Sequence, residues 1–289
     1  MNLIGELTYT NKQHNISNIN DLIKNNSSPS GIIETIQTDA FKAVKIKTRA
    51  HDLCILSDNL LLVAGFEDEH LAIYDQDFNM IEKIDKINNQ TFKPYAIIIN
   101  DNNCYILDWE KHCILMTDLN FKFIKSNGSK GSTIDKFCYP YSIAIKNDIL
   151  YVSDNDNKRI KLYTTDLQFI QSFSLDYMPC LIKISNNKIC VISEKEIFIY
   201  GLNQFNLVKK LEMKIHRISE LSSFIYGFDL MKKRLIIIDF DGNLVEEIKI
   251  DRFKEYITGA KDCALILFKA RLLMAFREKG IIGCFDIKS

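Results

Sequence analysis

The sequence predicts an all-β fold: a six-bladed β-propeller of four-stranded antiparallel blades, closed by an N-terminal strand. Three observations predict it. A four-strand unit recurs along the chain, its last copy stops after three strands, and a strand-like segment precedes the first copy. Residues 52–85 show the unit. An apolar strand is followed by a polar turn at Ser57, Asp58 and Asn59, then by a second strand and a charged loop. A third strand, an Asp-centred turn and a more polar fourth strand complete it. Residues 95–126 and 141–174 repeat this order, with polar turns at 100–103 and 146–148. Alternation with a period of two marks the strands, and clusters of Asn, Asp and Ser mark the turns. Residues 180–212 and 215–249 follow with weaker matches, Asn206, Leu207 and Val208 recurring as Asn243, Leu244 and Val245.

The sixth unit, residues 263–286, has three strands. An open sheet edge leaves backbone groups unpaired and invites aggregation, so a strand from elsewhere must cover it. Residues 31–38 have strand character and are expected to supply that strand. The repeat length of roughly 40–46 residues is that of propeller blades. A β-sandwich would not repeat one strand order six times, and solenoid repeats are shorter and often helical. The expected organisation is an N-terminal segment and linker over 1–30 and a propeller over 31–289.

Composition bounds the function. Lys plus Arg and Asp plus Glu both number 37, so the formal net charge is zero. That argues against a partner bound by charge over the whole surface, because phosphate neutralisation needs a positive excess. No apolar run approaches the length of a membrane span, and the first residues lack the basic and apolar regions of a secretory leader. The eight cysteines form no C-x-x-C pair and sit among alternating apolar residues. They read as small buried hydrophobes, with no disulfide-linked partner. A cytoplasmic location follows.

The segment 128–164 resembles the NHL repeat. The matching residues are Gly128, Gly131, Phe137, Pro140, Ile143, Ala144, Tyr151, Val152, Asp154, Asn157, Arg159, Ile160 and Tyr163. The second unit keeps Pro94, Tyr105 and Asp108, with His112 read as standing where Arg is usual; the first has Gly65 in place of Asp. The Gly-His and Trp-Asp marks of WD40 repeats are absent. The resemblance implies a six-bladed propeller of the kind found in tripartite-motif ubiquitin ligases, which bind protein or RNA, and in a peptide-processing lyase. No RING, B-box or coiled-coil segment is recognised here. Asp154, Asn157 and Arg159 read as structural, since Asp and Asn cap turns and an Arg fork bridges carboxylates.

Function is expected in the loops. Those joining second to third strands share one face, the top, with the blade-to-blade connections. Tyr95, Trp109, Tyr139 and Tyr141 fall there in adjacent blades, with Lys111 and Lys158 beside them. Aromatics with polar handles suit protein interfaces, and these six are the expected partner-binding residues. A basic arc of Lys47, Arg49, Lys232, Lys233, Arg277 and Lys279 supports an alternative, single-stranded RNA, although Glu67, Asp68 and Glu69 lie near it. A metal-dependent lyase or hydrolase is the second alternative. His51 and His216 are the only histidines placed near the channel mouth, and catalytic zinc usually takes three protein ligands. The inner strands are almost purely apolar, whereas catalysis needs polar groups at the reacting centre. No nucleotide-binding glycine loop or nucleophile elbow occurs. The expectation is a protein-interaction scaffold without catalytic residues, metal or cofactor.

Overall fold

The computed structural model describes residues 42–194, 196–213, 215, 217–221, 224–229, 232, 234–249, 263–268 and 271–286. Blade one consists of β2 (Asp52–Ser57), β3 (Leu60–Gly65), β4 (His70–Tyr74) and β5 (Met80–Ile84). Blade two contains β6 (Pro94–Asn100), β7 (Asn103–Asp108), β8 (Cys113–Asp118) and β9 (Phe123–Asn127). Blade three is β10 (Pro140–Lys146), β11 (Ile149–Asp154), β12 (Arg159–Thr164) and β13 (Phe169–Ser174). Blade four has β14 (Leu181–Ser185), β15 (Lys188–Ile192), β16 (Ile197–Gly201) and β17 (Leu207–Leu211). Blade five follows with β18 (Arg217–Leu221), β19 (Phe224–Asp229), β20 (Arg234–Asp239) and β21 (Leu244–Lys249). Blade six combines β22 (Cys263–Phe268), β23 (Arg271–Phe276) and β24 (Ile281–Asp286) with β1 (Lys42–Lys45). Each is a separate four-stranded antiparallel sheet, and the inner strands touch in succession until β22 meets β2.

The N-terminal closure differs in position from the expectation. The expected strand, 31–38, lies outside the described residues. Its place against β24 is taken by β1, with Lys42 opposite Cys284 and Lys45 opposite Ile281. Six residues then cross directly to the inner strand β2. Closure by a segment nearer blade one needs the shortest connection between outer and inner strands.

The middle strands are buried on both faces, because the core lies between blades. Leu62, Ala64, Leu71 and Ile73 of blade one pack with Ile97, Cys104 and Ile106 of blade two. Tyr105, Leu107 and Ile114 of blade two pack in turn with Ile143, Leu150 and Val152 of blade three. This two-sided burial explains the continuous apolar runs of β3, β7, β11, β15 and β23. The inner strands keep one edge free, and side chains staple some of it to the neighbouring blade. Asp52 Oδ2 accepts from the Ile97 amide at 2.9 Å, and Ser142 Oγ accepts from the Ile182 amide at 3.2 Å.

The turn from third to fourth strand carries a signature not recognised in the sequence. Phe78, Phe121, Leu167 and Phe205 are left-handed there, with φ between 49° and 62°, and Gly242 takes the fifth copy at 78°. Asp75, Asp118 and Asp239 hold three of these turns by accepting backbone amides. A left-handed side chain costs roughly 1–2 kcal/mol, but burying Phe or Leu gains about 1.5–3 kcal/mol. Burial therefore wins at Phe78, Phe121 and Leu167, which are all buried. Three residues later comes a β-bulge. Ile81, Ile124, Ile170, Val208 and Val245 are each skipped in the pairing of fourth with third strand. Bulges twist an outer edge away from further pairing, and among the described residues the skipped Ile81 is the most exposed large apolar one at 61%.

Gly227 in β19 allows a close approach. A Cβ there would lie 2.4 Å from Ile215 Cδ1 and 2.8 Å from Ile215 Cγ2. Overpacking of this kind costs about 1–3 kcal/mol. Gly227→Ala is expected to lower the thermal midpoint, and Ile215→Val in the same chain to restore part of it. Differential scanning calorimetry of the three proteins checks this.

Candidate functional site

The top-face loops are anchored by a corner device that varies from blade to blade. In blade three it is complete. Asp154 is fully buried and accepts from the Cys138 amide at 2.7 Å, from Asn157 Nδ2 at 2.9 Å and from Arg159 Nε at 2.7 Å. Arg159 then donates to the carbonyls of Ser132, Thr133 and Lys136 at 3.0, 2.8 and 2.8 Å. Asn157 reaches Gly131 O at 2.9 Å. Asp154, Asn157 and Arg159 thus fold the glycine-containing connection 128–138 onto the blade.

Elsewhere the device changes. Arg159 pairs across the strands with Asp154, and the same register places Cys113 opposite Asp108. Cys113, not His112, therefore stands where Arg is usual; His112 occupies the position of Lys158, and both are left-handed. The one-residue difference follows from the register, which the sequence alone leaves open. Asp108 is fully buried, and burial pushes its carboxyl upward. Lys111 replaces the missing guanidinium. Its Nζ donates to Thr91 O at 2.6 Å and Gln90 Oε1 at 3.2 Å, 3.9 Å from Asp108 Oδ2. Lys111 thus turns toward its own blade. Blade five repeats the pair as Asp229 and Arg234 at 3.3 Å. Blade one has Gly65 opposite His70, and His70 Nε2 meets Thr48 Oγ1 at 3.0 Å.

These corners hold an aromatic platform across blades one to three. Trp109 lies 4.4 Å from Tyr139 between ring centroids, 6.3 Å from Tyr95 in a stacked arrangement and 5.4 Å from Phe66 edge-on. Tyr95 meets Tyr141 at 4.6 Å and Phe66 at 5.3 Å. Trp109, Tyr139, Tyr141 and Phe66 are half-buried, whereas Tyr95 is buried and forms the floor. The structure brings all four predicted aromatics together. Phe66 completes the platform, although in the sequence it directly follows an apolar strand and reads as its continuation. Lys158 is exposed at the blade-three side.

Two histidines support the platform from below, with opposite hydrogen-bond roles. His51 is 1% exposed and donates from Nδ1 to Tyr95 O at 2.7 Å. His112 accepts at Nδ1 from the Tyr139 amide, 2.9 Å away, and its ring lies 4.5 Å from the Tyr139 ring. Burial, helped by Lys130, pulls its pKa below the ordinary histidine value, against the carboxylates of Asp154 and Asp156.

Two residues of the basic arc, Arg49 and Arg277, are paired with carboxylates. Arg49 pairs with Asp68, Nη2 to Oδ1 2.7 Å, and its guanidinium is held charged first by that bond. Arg277 pairs with Glu67 at 3.0 Å. Lys47 and Lys232 are exposed and Lys279 is half-buried; Lys233 and His216 lie outside the described residues. Among the described residues no three His, Cys, Asp or Glu side chains converge as metal ligands, and no helix is long and apolar enough to cross a membrane.

No family model and no curated protein matches the chain. Solved structures do match. The chain is similar to a catalytically inactive virginiamycin B lyase from Staphylococcus aureus with quinupristin: TM-score 0.64, 12% identity, 86% of this chain and 100% of the other covered. It is similar to the Cps50 (Swd1) β-propeller domain of Myceliophteria thermophila, with a TM-score of 0.59, 10% identity and 86% and 100% of the two chains covered. The designed protein Ika8 matches with a TM-score of 0.56, 10% identity and 82% and 83% coverage. The fold is a β-propeller. At these identities the likeness is one of fold, and propellers of one architecture carry unrelated functions.

Proposed function

We propose that this propeller is an NHL-type binding module, without catalytic function, that docks a protein partner on the top face of blades one to three. The aromatic platform carries the reading. Half-buried Trp and Tyr side chains lose little entropy on binding and dominate interface energetics. The convergence of Asp154, Asn157 and Arg159 on the connection 128–138 supports the NHL relationship. Pairing of Arg49 and Arg277 with carboxylates favours a protein over RNA, since a paired guanidinium neutralises no phosphate. We place the module, residues 31–289, in the cytoplasm after an N-terminal segment. The free thiols of Cys54, Cys104, Cys113 and Cys138 suit a reducing compartment.

Affinity capture with wild type and with the Trp109→Ala/Tyr141→Ala variant tests the site. The variant is expected to lose at least one partner while keeping the far-ultraviolet circular dichroism of wild type. An identical set of partners from both proteins would remove the platform as the docking site.

A further inference from the structure

We propose that His112 is a proton-operated latch on the aromatic platform: as neutral imidazole it holds Tyr139 against Trp109, and its protonation releases Tyr139. The role of the platform as a docking site rests on the reading above; the latch itself does not.

The argument starts from hydrogen-bond roles. A backbone amide can only donate, so the Tyr139 amide 2.9 Å from His112 Nδ1 requires a bare nitrogen there. The proton of the neutral ring therefore sits on Nε2. An imidazolium carries hydrogens on both nitrogens, so protonation turns an attractive contact into two donors facing each other. His112 is 4% exposed, which keeps water from replacing the lost partner. His51, at the other side of the platform, already donates through Nδ1 to Tyr95 O. A second proton on His51 leaves that bond intact.

Tyr139 is held under constraint. It is left-handed with φ 54°, a conformation that a bulky residue holds only under constraint. Its ring contacts both His112 and Trp109, at 4.5 and 4.4 Å. Release of the amide lets the backbone relax and separates the Tyr139 ring from the indole. Charged groups face His112 from each neighbouring element. Lys130 lies on the connection into blade three, Asp154 and Asp156 on the blade-three turn, and Asp108 and Lys111 on its own turn. Burial and Lys130 oppose protonation, and Asp154 and Asp156 favour it. Because the folded-state value is the lower one, the native state binds fewer protons than the unfolded chain between the two values. Stability and platform order are thus fully present above the ordinary value of about 6.5 and are lost as pH falls through the folded-state value.

The chain has one tryptophan, and it sits in the contact being read. Fluorescence of Trp109 between about pH 7.5 and 4.5, bracketing the ordinary histidine value, is compared for wild type and His112→Asn. Asn tolerates the left-handed φ of 53° at this position, and its Oδ1 accepts the Tyr139 amide without titrating. Wild type is expected to show a reversible emission change with a midpoint below 6.5 and unchanged far-ultraviolet circular dichroism; the variant is expected to show none. A flat wild-type curve overturns the proposal. So does an identical transition in the variant, which would assign it to another group such as Asp108 beside Trp109. If the variant misfolds, side-chain nitrogen resonances of wild type decide. His112 must carry its proton on Nε2 at pH 7.5 and titrate with the fluorescence, and a protonated Nδ1 overturns the latch. This titration is read without a partner, so failure of the capture experiment and failure of the latch remain separate results.

Discussion

Replacing Arg159 by alanine is expected to cost about 3–5 kcal/mol of folding free energy, the range for leaving a buried charge without its partner. Asp154 is fully buried and Arg159 is 13% exposed, so the pair is largely shielded from water. The substitution removes four hydrogen bonds together: one to Asp154 and three to the carbonyls of Ser132, Thr133 and Lys136. The connection 128–138 loses its anchor, although Asn157 still bonds Gly131 O and Asp154. Arg159→Lys keeps the charge but not the planar fork, and is expected to recover less than half of the loss. Urea unfolding of wild type and both variants checks this. A loss under about 1 kcal/mol for Arg159→Ala, the scale of one ordinary hydrogen bond, would show that Asn157 and the Cys138 amide suffice for Asp154.

Lys161→Met should act in the opposite direction and raise stability by about 1–3 kcal/mol near pH 6, as hydrophobic replacement of buried charges can. Lys161 is fully buried. Its Nζ sits 3.8 Å from the centre of the Phe137 ring and 5.0 Å from that of Tyr163. Burial, with Arg159 nearby, lowers its pKa to about 8. The unpaired charge costs more than its one hydrogen bond, to Lys136 O at 3.0 Å, returns. Methionine does not orphan that carbonyl, because Arg159 Nη2 also donates to it at 2.8 Å. The pH dependence follows from the sign of the shift. Between about 8 and the unfolded value near 10.4, the unfolded chain binds more protons at this site, so the wild-type contribution improves as pH rises. The advantage of Lys161→Met is therefore largest below pH 8 and shrinks toward pH 10. Urea titrations at pH 6, 8 and 10 measure it; an advantage independent of pH would assign the effect to packing alone.

Legibility differed by residue. Asp154, Asn157 and Arg159 read correctly as structural because their partners are local: Asn157 and Arg159 lie three and five residues from Asp154. Lys111 read as a surface contact, yet it bonds Gln90 and Thr91 about twenty residues away, a contact made only when the connection folds over its blade. The arc arginines behaved similarly. Arg49 finds Asp68 nineteen residues on, and Arg277 finds Glu67 only because the ring closes. The left-handed Phe78, Phe121, Leu167 and Phe205 were hidden because apolar residues in a turn look like the start of the next strand.

The sequence by itself determined the strand order, the number of blades and the need for an N-terminal strand, because alternation, turn chemistry and repeat length are local properties. It also placed Tyr95, Trp109, Tyr139 and Tyr141 on one face, since a repeat fixes which loops share an end. Only the tertiary structure decided that β1 (Lys42–Lys45) closes the ring. It alone decided that Tyr95 lies beneath its neighbours, that Phe66 joins them, and that His112 accepts the Tyr139 amide. Those outcomes depend on contacts between blades, where register and side-chain direction are set by packing across the ring and leave no periodic mark in the chain.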